Sequence, residues 1–390
     1  MLNEITFGLS HHLRDRRMMP GHYVNWNDNY RIADTSDMMI NTGENTTYST
    51  PNLFQKETAF NIGVYTWATV ANAYSAAINA PNGKIYFIPE DESFVTEVDP
   101  SIPHLGIRVS TFGSLAGTTK WLGGVLAPNG IIYGIPYSST QWLRLNPYAR
   151  TAVAFTAGAS VSGLYKGGVV APNGLIIAPN GNSASAANRV MIFNPTNETF
   201  VEQDVTIGAV VSYNGACLGT NGLVYFTPAS DDIVGVFDPV TRKYLQITVP
   251  NAGATTNIYD GAVLAPDGSI YFIPRNANRV MVYNPISNVG KLIGPDLTIT
   301  SDKWKGGVLA PDGFIYGIPL SDSRFLKIDW KNQSVSFKGT IVGTGKFSGA
   351  TIASTGNLYT VTSSSDTIGE VLFNMPIKNN AECRKEVNKY

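Results

Sequence analysis

Hydrophobic positions along this chain come in short runs bounded by turn-forming residues. "GGVLA" (123–127) is followed by Pro-Asn-Gly and then by "IIYGIP" (131–136), and nearly the same words return as "GGVLAPDGFIYGIP" at 306–319. The runs are rich in β-branched and aromatic residues and lack the i, i+3, i+4 spacing of an amphipathic helix, so they predict strands. The Pro-Asn/Asp-Gly joint predicts a hairpin. Pro presets φ for the first corner of a type I turn, and Gly takes the left-handed position behind it. A type I′ Asn-Gly turn is the alternative, but it would place Pro in the strand ladder, where the missing N–H is a defect.

The phrase recurs seven times. Aligned on its Gly, the anchors are Gly83, Gly130, Gly174, Gly222, Gly268, Gly313 and Gly356, spaced 43 to 48 residues apart. An aromatic stands nine residues before each anchor, as in Tyr74, Trp121, Tyr259 and Trp304, and a pair of small residues follows two positions later. Sixteen residues after most anchors comes Asp or Asn, usually followed by Pro (Asp99, Asn146, Asp238, Asn284, Asp329). Units of this length mark propellers and solenoids. Each unit predicts four strands, in the second unit over 123–127, 131–135, 141–145 and 151–156. The small pair suits an inner strand at a crowded axis. The aromatic just upstream is expected to bury against the neighbouring unit, at about 1.5–3 kcal/mol for a large side chain.

The last unit has three strands, and the polar segment after it is a poor fourth. The missing strand is expected at the other end of the chain. Residues 57–77 read like 150–168, so 58–66 should supply the outer strand of the last unit and remove an open sheet edge. The expected fold is therefore all-β: a seven-bladed β-propeller of four-stranded blades over 58–375, closed by an N-terminal strand that completes the last blade. A non-repeat arm (1–57) precedes it and a polar tail (376–390) follows. The pattern resembles the broad superfamily of seven-bladed propeller repeats. Its Gly-Gly doublets are similar to kelch repeats without the kelch Tyr and Trp downstream, and Asp-Pro or Asn-Pro stands where the WD type has Trp-Asp. The likeness implies the fold and no specific activity.

Composition narrows the surface rather than the function. Of the 390 residues, 43% are hydrophobic and 15% charged, with a net charge of −1. A usual chain carries about a quarter charged residues, so this surface is built largely from Asn, Thr, Ser, Gly and Tyr. Near-neutrality gives no long-range pull toward nucleic acid, and no run reaches the length of a membrane span. The N-terminal sequence lacks the apolar stretch of a secretory leader, which predicts synthesis in the cytoplasm. The two cysteines, Cys217 and Cys383, are not expected to meet.

Propeller chemistry gathers at the mouth of the central channel, on residues at the start of the inner strands. Just before the small pairs stand Ser75, Leu122, Lys166, Asn214, Asp260, Lys305 and Ser348. Within this ring Lys166, Asn214, Asp260 and Lys305 are candidate binding residues, against the plainer reading of solvated strand ends. One carboxylate falls short of the pair used in typical glycoside hydrolysis. The single histidine of the repeats, His104, lies in an outer segment and supplies neither a triad base nor a metal set. No catalytic residue, cofactor or metal is expected. The arm carries His11, His12 and His22, a short mixed cluster at Arg14, Arg16 and Arg17, and aromatics including Tyr23, Trp26 and Tyr30. Its apolar groups either fold back on the ring or dock on a partner. The main expectation is a non-enzymatic structural or recognition subunit of a larger assembly, such as a bacteriophage virion component at the tail, neck or capsid surface. Its partners would be other protein subunits contacted through 1–57, with a surface glycan or receptor as a further target. Two alternatives are a propeller enzyme (lactonase, lyase or glycosidase) with its site at the channel mouth, and an intracellular scaffold of the WD or kelch kind.

Overall fold

The computed structural model describes residues 62–66, 72–101, 108–157, 164–181, 188–205, 208–298, 301–339, 347–362 and 367–371. Their strands form seven four-stranded antiparallel sheets, in a β-propeller arrangement. Six sheets are contiguous blades, each a meander of four successive strands. After β1 (Ile62–Thr66), the first blade is β2 (Tyr74–Asn79), β3 (Ile85–Pro89), β4 (Val95–Asp99) and β5 (Arg108–Phe112). The second is β6 (Trp121–Leu126), β7 (Ile132–Pro136), β8 (Trp142–Asn146) and β9 (Thr151–Phe155). The third to sixth blades are β10–β13 (169–204), β14–β17 (213–248), β18–β21 (259–293) and β22–β25 (304–338). The remaining sheet is composite. It joins β26 (Phe347–Ile352), β27 (Leu358–Thr362) and β28 (Thr367–Val371) to β1, whose Ile62 pairs with Val371 and Thr66 with Thr367. The N-terminal strand lies in this sheet at 62–66; the rest of the expected 58–66 segment falls outside the described residues, as do the arm 1–57 and the tail 376–390.

The inner strands stand side by side around the axis, with β2 packed against both β6 and β26. Except in the third blade, each begins at the repeat aromatic and not, as expected, at the small pair. Trp121 pairs with Pro136 and Gly124 with Gly134, with a bulge between. The bulge turns on Gly123, at φ 98°. Its missing Cβ also allows contact with the next blade, for a Cβ there would lie 2.9 Å from the Gly167 Cα.

The hairpin turns are the type I form with Gly left-handed. Gly130, at φ 79°, donates its N–H to the Ala127 carbonyl at 2.9 Å, and Ala127 donates to Ile131 O at 2.9 Å. This leaves Asn129 at the turn tip, and its side chain joins two blades. The Oδ1 accepts from Ile131 N at 3.1 Å, while the Nδ2 donates to the Tyr133 hydroxyl at 3.1 Å and to the Pro195 carbonyl of the third blade at 2.9 Å. Asn82 reaches Pro147 O at 3.2 Å and Asn173 reaches Pro239 O at 3.0 Å in the same way. The Asn/Asp-Pro repeat position therefore has two structural duties. Its Pro carbonyl receives this latch, and its side chain caps the turn that follows: Asn146 Oδ1 accepts from Tyr148 N and Ala149 N, both at 3.0 Å.

The core lies between blades. Trp121 is buried among Tyr86, Ile88 and Val95 of the first blade and Leu143 of its own, and its Nε1–H donates to Gln141 O at 2.9 Å. Trp142 stacks on Phe193 of the third blade with ring centroids 4.1 Å apart. Removing one latch tests how much the blades owe to it. Asn129→Ala should lower unfolding free energy by roughly 1 kcal/mol, the usual net worth of such bonds, measured by denaturant melts. Combining it with Asn82→Ala and Asn173→Ala should deepen the loss roughly threefold, because well-separated sites add.

Candidate functional site at the channel mouth

Strand alternation sends the repeat aromatic into the blade interface and the residue after it toward the axis. All seven of those residues, Ser75, Leu122, Lys166, Asn214, Asp260, Lys305 and Ser348, line one cavity of ≈ 350 Å³. The four candidate binding residues are thus brought together, from the third, fourth, fifth and sixth blades. Ser75 is turned to structural use, its Oγ accepting from Gly123 N at 3.1 Å. Ser348 is likewise committed, donating its hydroxyl to the Tyr74 carbonyl at 2.5 Å.

The polar side chains form a chain of contacts around half the mouth. Lys166 Nζ donates to Asn214 Oδ1 at 3.1 Å. Asn214, 6% exposed, is held in turn by donating its Nδ2 to Tyr259 O at 3.0 Å and Asn257 Oδ1 at 3.4 Å. Asp260 accepts from Arg275 at 3.0 Å, and the Nε of the same guanidinium donates to Asp302 at 2.5 Å. Lys305 has no side-chain hydrogen bond or ion pair among the described residues. Its ammonium is the uncommitted charge of the site.

Two groups that one-position reading of the repeat missed are Arg275 and Glu90. Each follows the Pro that ends a second strand, and that Pro pairs with the repeat aromatic: Tyr74 with Pro89, Tyr259 with Pro274. The residue after the Pro therefore lands beside the axis-facing position. The signal was available in the same alignment, where Glu90, Tyr137, Asn180, Ala229, Arg275 and Leu320 form a second series. Arg275 lines the cavity. Glu90 stands on the first blade close enough to feel both Lys305 and Lys166.

Burial shifts two of these groups toward neutrality. Desolvation raises the Glu90 carboxyl above its ordinary value, with Lys305 the strongest opposing charge. Desolvation also lowers the Lys166 ammonium; Asp260 opposes this, while Arg275 and Lys305 add to it. A carboxyl and an amine displaced in this way are what acid–base sites require.

Other expected features are not joined to this mouth. All four histidines, His11, His12, His22 and His104, lie outside the described residues, as do Tyr23, Trp26 and Tyr30 of the arm and positions 182–187 of the longer third-blade loop. Among the described residues no group of three or more His, Cys, Asp or Glu side chains is placed to hold a metal ion. Cys217 is buried in its inner strand, where desolvation pushes its thiol up to about 12.

No family model matches the chain, and no curated protein matches it. Solved structures share its fold. Virginiamycin B lyase from Staphylococcus aureus is 11% identical, with a TM-score of 0.66 over 81% of this chain and 100% of its own. A catalytically inactive histidine-to-alanine form of that lyase has been solved with quinupristin. A streptogramin B lyase is 14% identical, with a TM-score of 0.66 over 80% of this chain and 97% of its own. Hydrazine synthase from Kuenenia stuttgartiensis is 12% identical, with a TM-score of 0.61 over 78% and 97%. At these identities the likeness is one of architecture.

The raised Glu90 pKa carries a stability signature. Below its ordinary value, near 4.5, both folded and unfolded chains hold the proton and the group contributes nothing. Above that value the unfolded chain ionises first, so the half-buried carboxyl destabilises the fold. Glu90→Gln should therefore melt at a higher temperature than the parent at pH 7. The gain should vanish below about pH 4.5 in melts followed by circular dichroism.

Proposed function

We propose that the protein works through its channel mouth, binding a small carboxylate-bearing molecule there and acting on it by acid–base chemistry, as an enzyme of the lyase kind. The observation that carries this reading is the convergence of Lys166, Arg275 and Lys305 on a cavity lined by one carboxylate side chain, Asp260. Arg275 is paired with Asp260 and Asp302, so the ammonium of Lys305 is the group left to meet a bound anion, with Lys166 beside it. Lys305 offers a free ammonium, and Arg275 a guanidinium already oriented by Asp260 and Asp302. Glu90 and Lys166 are the groups able to pass protons. The lyases of matching architecture support the placement of chemistry in such a ring. The groups proposed to act here are the lysines and carboxylates of the described mouth.

This reading replaces the expectation of a non-enzymatic platform, which counted one carboxylate in the axis-facing series; Glu90 enters from the neighbouring strand. Neither the described residues nor the structural relatives support a virion role, and the arm assigned to docking lies outside the described residues. In the same reading the ring is seven-bladed and locked by Ile62–Thr66 on the composite sheet. A rigid frame of that kind holds charges in place before the ligand arrives.

Two experiments test this. Acetate, lactate and pyruvate titrated into the full chain by calorimetry should bind, and Lys305→Met should weaken binding roughly tenfold or more, the worth of one charge-assisted bond. Absence of binding, or indifference to Lys305→Met, would overturn the reading. Deleting residues 1–66 should lower the melting temperature and weaken carboxylate binding together; an unchanged melt would refute the locking role of 62–66.

A further inference from the structure

Lys166 is positioned along its whole length. Its stem crosses the backbone at Gly181, where a Cβ would lie 2.5 Å from its Cγ and 2.7 Å from its Cδ. Its head is held by Asn214 Oδ1 at 3.1 Å and lies 5.6 Å from the Tyr137 ring centroid. The third blade is built differently here from its siblings. Its inner strand is cut to Val169–Val170, and Tyr165 makes only an isolated bridge to Asn180. Lys166 therefore sits in a locally loosened segment and is fixed by side-chain and glycine contacts instead of a regular ladder. The titratable groups facing it are Asp260, Arg275, Lys305 and Glu90. Asp260 is committed to Arg275, leaving the half-buried amine beside two further cations.

An amine desolvated next to other cations is the standard arrangement for carbonyl attack, because it is neutral at lower pH than a surface lysine. We propose, resting on the reading of the mouth as a carboxylate site, that Lys166 is a carbonyl-reactive amine that forms an imine with a 2-oxo carboxylate, whose carboxylate lies against Lys305. The neutral amine adds its lone pair to the carbonyl carbon, and the C=O π pair moves to oxygen. One proton shifts from nitrogen to that oxygen, giving a carbinolamine. The C–O bond then breaks as the protonated Glu90 carboxyl donates to the departing hydroxyl. Loss of the remaining N–H proton to Glu90 restores the acid, so the balance is amine plus carbonyl to imine plus water. The imine withdraws electrons from the adjacent carbon, which is what a lyase needs in order to break a bond there.

Reductive trapping tests this on the full chain. Pyruvate with sodium cyanoborohydride as hydride donor, followed by peptide mass mapping, should place a saturable reduced adduct on Lys166, formed about tenfold or more faster than on the exposed Lys243. Lactate, which has the carboxylate and lacks the carbonyl, should compete. Lys166→Arg should abolish the adduct, and Gly181→Ala should reduce it by displacing the stem while the melt shows a folded ring. Lys305→Met should raise the pyruvate concentration for half-labelling roughly tenfold, again one charge-assisted bond. If lactate and pyruvate bind but Lys166 labels no faster than Lys243, the imine is wrong and the carboxylate site stands. If neither binds, the site and the imine fall together.

Discussion

Everything in this molecule depends on how closely its inner strands can approach one another at the axis. A side chain on the bulge at Gly123 or Gly261 would collide with the backbone of the next blade, 2.9 Å and 2.8 Å from the neighbouring glycine Cα. Left-handed glycine solves two problems in one residue: it bends the strand, and it removes the Cβ that would hold the next strand away. The circle that results is tight enough for residues from different blades to share one cavity.

Around this circle, stability comes from repeated small interactions. Buried aromatics fill the spaces between blades, and the turn-tip asparagines of the first three blades tie each to the next through a Pro carbonyl. Such ties are individually weak and act at many separate places, so a blade can depart from the pattern without collapse. The third blade does so, with its shortened inner strand, and Lys166 stands just before that strand.

The mouth departs from the chemistry of the rest of the chain. A protein with few charges places Lys166, Arg275 and Lys305 together and leaves Glu90 desolvated nearby. Burying charge without full pairing is unfavourable for folding, and such arrangements persist where a site needs them. Asp260 and Asp302 neutralise Arg275, whereas Lys305 is left for a ligand. The activity proposed for this mouth rests on these side chains and not on the architecture, which serves unrelated proteins.

The repeat, the strands, the turn type and the axis-facing series could be read from sequence alone, because each follows from local backbone preferences stated seven times over. Lys166, Asn214, Asp260 and Lys305 were legible for the same reason. The sequence also placed the partner for the last sheet near residue 60, from the likeness of 57–77 to 150–168. Which charges would face one another was decided only in three dimensions. Glu90 and Lys305 lie more than two hundred residues apart, and their encounter depends on the curvature of a whole ring. The support of Lys166 by Gly181 was equally hidden: a glycine beside a loop reads as a turn until a side chain from another segment is found lying across it.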